Sequence, residues 1–254
     1  MACDHGPMLA TVYVITGSHA CRSATLMLEH KRVPYRLVEL PTGLHPLLVR
    51  AAGFQGNRTP IRTLDGATPS QLAILDRLGT VPALRLGSER IQTNRSIARF
   101  LERLRPLPPL FPSHPERRRA VEDAERWGDE VLQMAARRVA LATDLDAMHM
   151  RSADGRLGPL LAKSRWMRAI VAAPSAQSFR AGPGSLDALR DAIPALLDTV
   201  DAWIGEGVLC GEELNVADFA IAPSLALLCY CPGFNERISA RPAGVLVDRL
   251  LPER

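Results

Sequence analysis

The sequence predicts two domains in order, an α/β domain over residues 9–104 and an all-helical one over residues 116–254, and three observations carry that expectation. The first hundred residues alternate short β-forming runs with amphipathic segments, reading β-α-β and then β-β-α. Five prolines crowd the eleven residues RPLPPLFPSHP at 105–115, too many for either a ladder or a helix, which marks a stiff extended linker. Beyond it apolar residues recur at three- and four-residue spacing and no strand pattern returns.

Residues 11–15 (TVYVI) are a run of β-branched and aromatic side chains, read as a buried strand, and residues 22–30 place Leu26 and Met27 on one helical face. VPYRLVEL from Val33 is the second strand, and so short a strand-helix-strand unit forces its strands to run parallel. VPALRL from Val81 and RIQT at 90–93 are separated by the turn GSE, a hairpin, and NRSIARFLERL follows as a helix. Residues 53–79 exceed what this connection needs and are expected to hold an inserted loop with a short helix over 69–78. In the second domain a long helix is expected from Glu116 to about Leu145. It turns Val121, Ala124, Gly128, Val131, Leu132, Ala135 and Val139 inward and pairs Glu122 with Arg126 on its wet side. Further helices are expected at 157–172, 185–204 and 216–230.

Composition bounds the function classes. With 254 residues, 47% hydrophobic and 23% charged, the chain can bury one large core or two modest ones. No stretch approaches the ~20 apolar residues of a membrane-spanning helix. The opening MACDHGPMLA lacks the basic region and long apolar core of a secretory signal, so a cytoplasmic protein without a membrane partner is expected. The net charge of +4 is interleaved with acids, as in PERRRAVEDAERWGDE, which fits solvated helix faces rather than a nucleic-acid surface. All but two of the 31 basic residues are arginine, the exceptions being Lys31 and Lys163.

Five scattered cysteines (Cys3, Cys21, Cys210, Cys229, Cys231) form no Cys-x-x-Cys pair, so buried or free thiols are expected rather than a disulfide framework. Cys229 and Cys231 with His19 and His149 lack a second paired motif, and structural cysteines are expected there, with no metal. GPGS at 182–185 has no preceding strand and is no phosphate loop. Trp127, Trp166 and Met167 either wall an apolar pocket between the domains or belong to the core.

Three stretches carry chemistry. In VITGSHACRSATLML (14–28) a strand hands over to a helix whose first amides have no intrahelical partner, so a negative atom is stabilised there. Ser18 at that spot can donate a hydrogen bond to a bound thiolate, and Cys21 can instead be a low-pKa thiol of the protein itself. The competing reading is that Ser18 caps the helix and Cys21 packs on the sheet. In GTVPALRL, Pro82 removes a ladder donor at a strand start. That is sensible if Val81-Pro82 is cis and Val81's backbone faces a peptide-like ligand; an ordinary turn proline is the alternative. In TNRSIARFLE, Thr93 and Asn94 open a helix where amides and short polar side chains can receive a carboxylate, or where Asn94 is only a cap.

Together these stretches resemble the thioredoxin-like domain of the cytosolic glutathione transferases. That family has a Ser, Cys or Tyr at the first strand-helix turn, then G-x-VP-x-L, then a [ED]-S-x-x-I-x-x-[YF]-L helix start. The resemblance implies glutathione transferase architecture, a thioredoxin-like α/β domain plus an all-α domain, of a serine- or cysteine-type class. It implies Ser18 and Cys21 as catalytic candidates, and His19, Val81, Pro82, Thr93 and Asn94 as the glutathione-binding set, Val81 holding the cysteinyl backbone. Thr93 and Asn94 stand where the family has an acidic-Ser pair for the γ-glutamyl end, and Thr93 lacks the carboxylate that would meet the glutamyl ammonium. ELNVADFAIAPSLALL resembles the family's S/T-x-x-D box, with Asn215 as cap and Asp218 three residues on, and is assigned to folding.

The implied function is a glutathione S-transferase-like enzyme that transfers glutathione or a similar thiol to a small hydrophobic electrophile. Glutathione is then a co-substrate, no metal is needed, and a homodimer is expected. Two other readings stand beside it: a thiol-dependent isomerase or reductase using Cys21, and a non-catalytic binding protein on the same fold.

Overall fold

The computed structural model describes residues 9–41, 44–55, 80–143, 155, 183–231 and 233–252. The helices expected at 69–78 and 157–172, together with Cys3, His149, Trp166 and Met167, lie outside them.

Four strands form one mixed sheet in the order β2-β1-β3-β4, with β1 at Ala10–Val14, β2 at Tyr35–Glu39, β3 at Ala83–Leu86 and β4 at Glu89–Gln92. β1 and β2 are parallel, paired from Ala10↔Tyr35 to Val14↔Glu39, as the intervening helix α1 (His19–His30) requires. β3 runs antiparallel to β1 and turns back as a hairpin onto β4. Successive side chains on a strand face opposite ways, and the sheet uses both faces. Val12 and Val14 join a large core with Leu26, Met27 and Leu28 of α1 and Ile97 and Leu101 of α3 (Asn94–Leu104). Tyr13, Val38 and Ala83 face a smaller cluster with Val49 of α2 (His45–Ala51) and Phe54. Helix α2 has no counterpart in the expected elements: seven residues carry too little periodicity to announce it.

The stretch at 105–115 is no free spacer in its second half, since Leu110 and Phe111 are buried in the large core. After it comes α4 (Pro115–Trp127), a π-helical segment (Gly128–Leu132) and α5 (Gln133–Thr143), without a break. Of the residues expected to face inward all are buried except Val131, which is half-buried. On the wet side, however, Glu122 pairs with Arg118 (3.0 Å) and Arg126 with Asp123 (2.5 Å), so the expected Glu122–Arg126 pair is replaced by two others. The i,i+3 and i,i+4 neighbours of an arginine-rich helix offer several partners, and spacing alone does not choose among them.

Helices α6 (Pro183–Gly205), α7 (Val216–Cys229), α8 (Asn235–Ser239) and α9 (Pro242–Leu250) complete the described chain. α7 is buried from Val216 to Leu228 and apolar on every side, the pattern of a central helix, and it packs against α1, α4, α5 and α9. Its start is the expected capping box. Asn215 Oδ1 accepts from Ala217 N at 2.9 Å, while Asp218 Oδ2 accepts from Asn215 N at 2.8 Å and Oδ1 from Cys210 N at 2.7 Å. Trp127 meets Trp203 of α6 edge to face, 5.1 Å between centroids, so its ring packs within the helical layer. Among the described residues no helix is long and apolar enough to cross a membrane.

Candidate functional site

The sheet ends and helix starts of the first domain bring the three singled-out stretches to the same end of the sheet, the exit of β1, the entry to β3 and the exit of β4. After β1 the chain turns through Thr16 and Gly17, the latter at φ +78, a left-handed conformation that glycine adopts without steric cost. Ser18 follows as the N-cap of α1, partly exposed, its Oγ accepting from Cys21 N at 3.4 Å. A hydroxyl that accepts through a lone pair still has its own hydrogen to donate.

His19 and Cys21 lie on the inner side of the same turn, 4% and 3% exposed. Burial pushes the Cys21 thiol above its ordinary value, and the Ser18 hydroxyl, the backbone at Ile15 and the Arg137 guanidinium offset that only in part. A thiol so placed is protonated at neutral pH and closed to solvent.

The Val81-Pro82 peptide is cis, immediately before β3. At the exit of β4, Thr93 caps α3. It takes φ 71 and ψ 144, a backbone region almost reserved for glycine and costing of order 1–3 kcal/mol for other residues. A β-branched residue held there is the kind of outlier that clusters at ligand sites. Thr93 Oγ1 accepts from Ser96 N at 3.2 Å and donates to Ser96 Oγ at 3.1 Å. Asn94, next to it, is 7% exposed, and its buried Oδ1 has no hydrogen-bond partner among the described residues.

The helical domain supplies groups that sequence reasoning missed. Arg137 of α5 donates to Gln133 Oε1 at 3.1 Å, and its positive charge is felt at Cys21, at His45 and at Asp129. His45, at the start of α2, has a buried Nδ1 without a partner among the described residues, and burial together with Arg137 pushes its pKa down to about 4. It is therefore neutral at physiological pH. One arginine among many and one histidine in an unassigned loop carried no local signal.

Two ion pairs tie α3 to the α4–α5 rod, Arg95 with Glu130 at 3.5 Å and Arg99 with Glu125 at 2.5 Å, and Arg99 also lies over the Phe111 ring. Gly155 reaches the strand-helix turn itself. A Cβ there would stand 2.6 Å from Glu39 Oε1 and 2.7 Å from Thr16 Cβ, so only a residue without a side chain fits.

A cavity of about 210 Å³ lies elsewhere, at the C-terminal end of α1, between His30, Pro108, Pro109 and the Glu212–Leu214 loop. It is away from the strand exits. Among the described residues no group of three or more His, Cys, Asp or Glu is placed to hold a metal ion.

No family model and no curated protein matches the sequence. Solved structures do match. A GST-like protein from Pseudomonas syringae aligns at TM-score 0.60 and 17% identity over 97% of this chain and 68% of its own. A glutathione S-transferase of Ceriporiopsis subvermispora, solved in complex with glutathione, aligns at TM-score 0.58 and 18% identity over 96% of this chain and 95% of its own. Glutathione S-transferase-I, bound with lactoylglutathione, gives TM-score 0.59 and 15% identity over 96% and 94%. With its β2-β1-β3-β4 sheet, its thioredoxin-like first domain and the helices that follow, this chain has the fold of the glutathione S-transferase superfamily.

Proposed function

We propose that the chain is a thiol transferase of the glutathione transferase type, with Ser18 as the hydroxyl that activates the thiol. The observation that carries this is the state of the α1 turn. Ser18 is partly exposed, at a helix N-terminus whose amides and partial positive charge favour a thiolate. Cys21, by contrast, is buried with its thiol pushed up. The thiol's sulfur sits at Ser18, its cysteinyl backbone pairs with Val81, and its far end reaches Thr93 and Asn94. His19 and Pro82 shape the floor between them.

In this reading the bound thiol loses its proton to solvent or base, and Ser18 and the helix amides stabilise the resulting thiolate. The sulfur then forms a C–S bond to an electrophile held against the helical domain while the electrophile's leaving group departs with its electron pair into solvent, as halide for an aryl halide. A cytoplasmic homodimer goes with it, to be checked by light scattering.

The test is calorimetry with glutathione, followed by conjugation of an aryl halide. Binding at or below millimolar concentration is expected, with Ser18→Ala lowering kcat/KM about 10²-fold and Cys21→Ala leaving it within a few-fold. The reverse ranking moves the chemistry to Cys21 and the isomerase or reductase reading. No binding favours the non-catalytic protein.

A further inference from the structure

The far end of α1 borders a concavity of its own. His30, the last residue of that helix, packs its ring against Phe219 of α7 with 5.1 Å between centroids, and its Nε2–H donates to Pro109 O at 3.4 Å. A carbonyl can only accept, so Nε2 carries the hydrogen, and in the neutral ring Nδ1 keeps a bare lone pair. Burial lowers the His30 pKa below its ordinary value, which leaves the ring neutral at physiological pH. Beside it lies the cavity of about 210 Å³ that Pro108, Pro109, Glu212, Glu213, Leu214 and Arg249 complete. At the density of liquid water such a space holds about seven non-hydrogen atoms.

Both walls are held in place by the fold itself. On the linker side Leu110 N donates to Glu102 Oε2 at 3.0 Å, and Lys31 Nζ bonds Arg105 O and Pro106 O. On the opposite side the buried Asp218 carboxylate takes Cys210 N and Asn215 N. The Arg249 guanidinium donates to the same loop, to Cys210 O at 3.2 Å, Gly211 O at 2.5 Å and Glu212 O at 2.8 Å. Val216 N on Leu110 O, at 2.9 Å, ties one wall to the other. A concavity so fixed loses little conformational freedom when it is filled.

The polar groups left over at this cavity are acceptors. Proline has no N–H, so the wall formed by Pro108 and Pro109 offers carbonyl oxygen alone. Glu212 and Glu213 are exposed, neither has an ion-pair partner among the described residues, and the Glu213 charge is felt at His30. α1 ends here, and the negative end of its dipole favours a cation. The two cations nearby are engaged, Lys31 with Glu102 and two carbonyls, Arg249 with the three carbonyls of the loop. Leu214 and the proline rings supply apolar area for a short hydrocarbon body. We propose that this cavity binds a small aliphatic primary ammonium, its head received by Glu212, Glu213 and His30 Nδ1 and its body of about five carbons by Pro108, Pro109 and Leu214. The site is independent of the turn that presents Ser18, which lies at the other end of α1.

Titration calorimetry of the full chain with pentylammonium, 1-pentanol and pentanoate tests this, since the three share a body and differ in the head. Pentylammonium is expected to fill a single saturable site with a Kd of about 1 mM or below. The alcohol and the carboxylate should each bind more weakly by about fivefold or more. Replacing both acids, Glu212→Gln with Glu213→Gln, changes exposed side chains and should weaken the ammonium by about fivefold. In NMR the His30 ring resonances should move with the same Kd, while those of His45 at the start of α2 stay in place. An alcohol that binds as well as the ammonium marks a merely apolar cleft and overturns the assignment. A preference for pentanoate overturns it too, because recognition then belongs to Arg249. So do the lack of saturation in both readouts, a double variant unchanged to within about twofold, and shifts centred on His45.

Discussion

Lys31 shows what one atom type can decide. Its ammonium is fully buried and donates to the Glu102 carboxylate, to Arg105 O at 2.7 Å and to Pro106 O at 3.2 Å, which uses all three of its N–H bonds. In a chain whose other basic residues are nearly all arginine, this position needs a compact cation with three divergent donors, and a planar guanidinium does not match that geometry. Lys31→Met leaves Glu102 without its cation and is expected to lower stability by about 3 kcal/mol, read as the shift in urea midpoint. Lys31→Arg should not rescue it; an arginine variant as stable as the wild type would refute the geometric account. Composition exposed the oddity of Lys31 but not its cause, because its partners lie more than seventy residues away. His45 was silent in sequence for the same reason. Its native pKa of about 4 lies below the ordinary 6.5, so the unfolded chain takes up a proton that the native state refuses. This imidazole therefore withdraws stability as pH falls from 6.5 towards 4. Its NMR resonances should stay unshifted down to pH 5, whereas a titration midpoint near 6.5 would show it solvated.

At the scale of elements, local chemistry was the part most readable beforehand. β1, the parallel β2, the hairpin, α3 and the Asn215–Asp218 box all declare themselves through patterns a few residues long. Asp218 takes two backbone N–H bonds while fully buried, and Asp218→Ala should cost about 2–3 kcal/mol in denaturant unfolding, against about 1 for Asn215→Ala. The π segment could not be read. Its residues keep helical spacing, and what distinguishes it is a close approach to α7, where a Cβ on Gly128 would lie 2.8 Å from Ile221 Cγ1. Gly128→Ala, ordinarily a gain within a helix, is expected here to destabilise by about 1–3 kcal/mol through overpacking, and pairing it with Ile221→Val should recover part of the loss.

On the scale of the whole molecule, the two halves share a core. α1 lies along α7, Leu110 and Phe111 of the intervening stretch are buried between them, and Leu110 O accepts from Val216 N at 2.9 Å. Proline content correctly announced a stretch that is neither helix nor strand, yet said nothing of its burial, which depends on surfaces that only tertiary packing creates. A fragment ending at residue 104 would lose Arg105 O and Pro106 O as acceptors for Lys31 and expose the α7-facing side of α1. It should lack a cooperative melting transition and bind the dye ANS; a sharp transition would show the first domain self-sufficient. Gly155 sets a different kind of limit. There the gap between main chain and the Thr16 and Glu39 side chains is already closed, so even a methyl group acts as a wedge beside the turn that presents Ser18. Any lineage that remodels this part of the second half must hold one position blank, and its freedom to diversify begins only on either side of that gap.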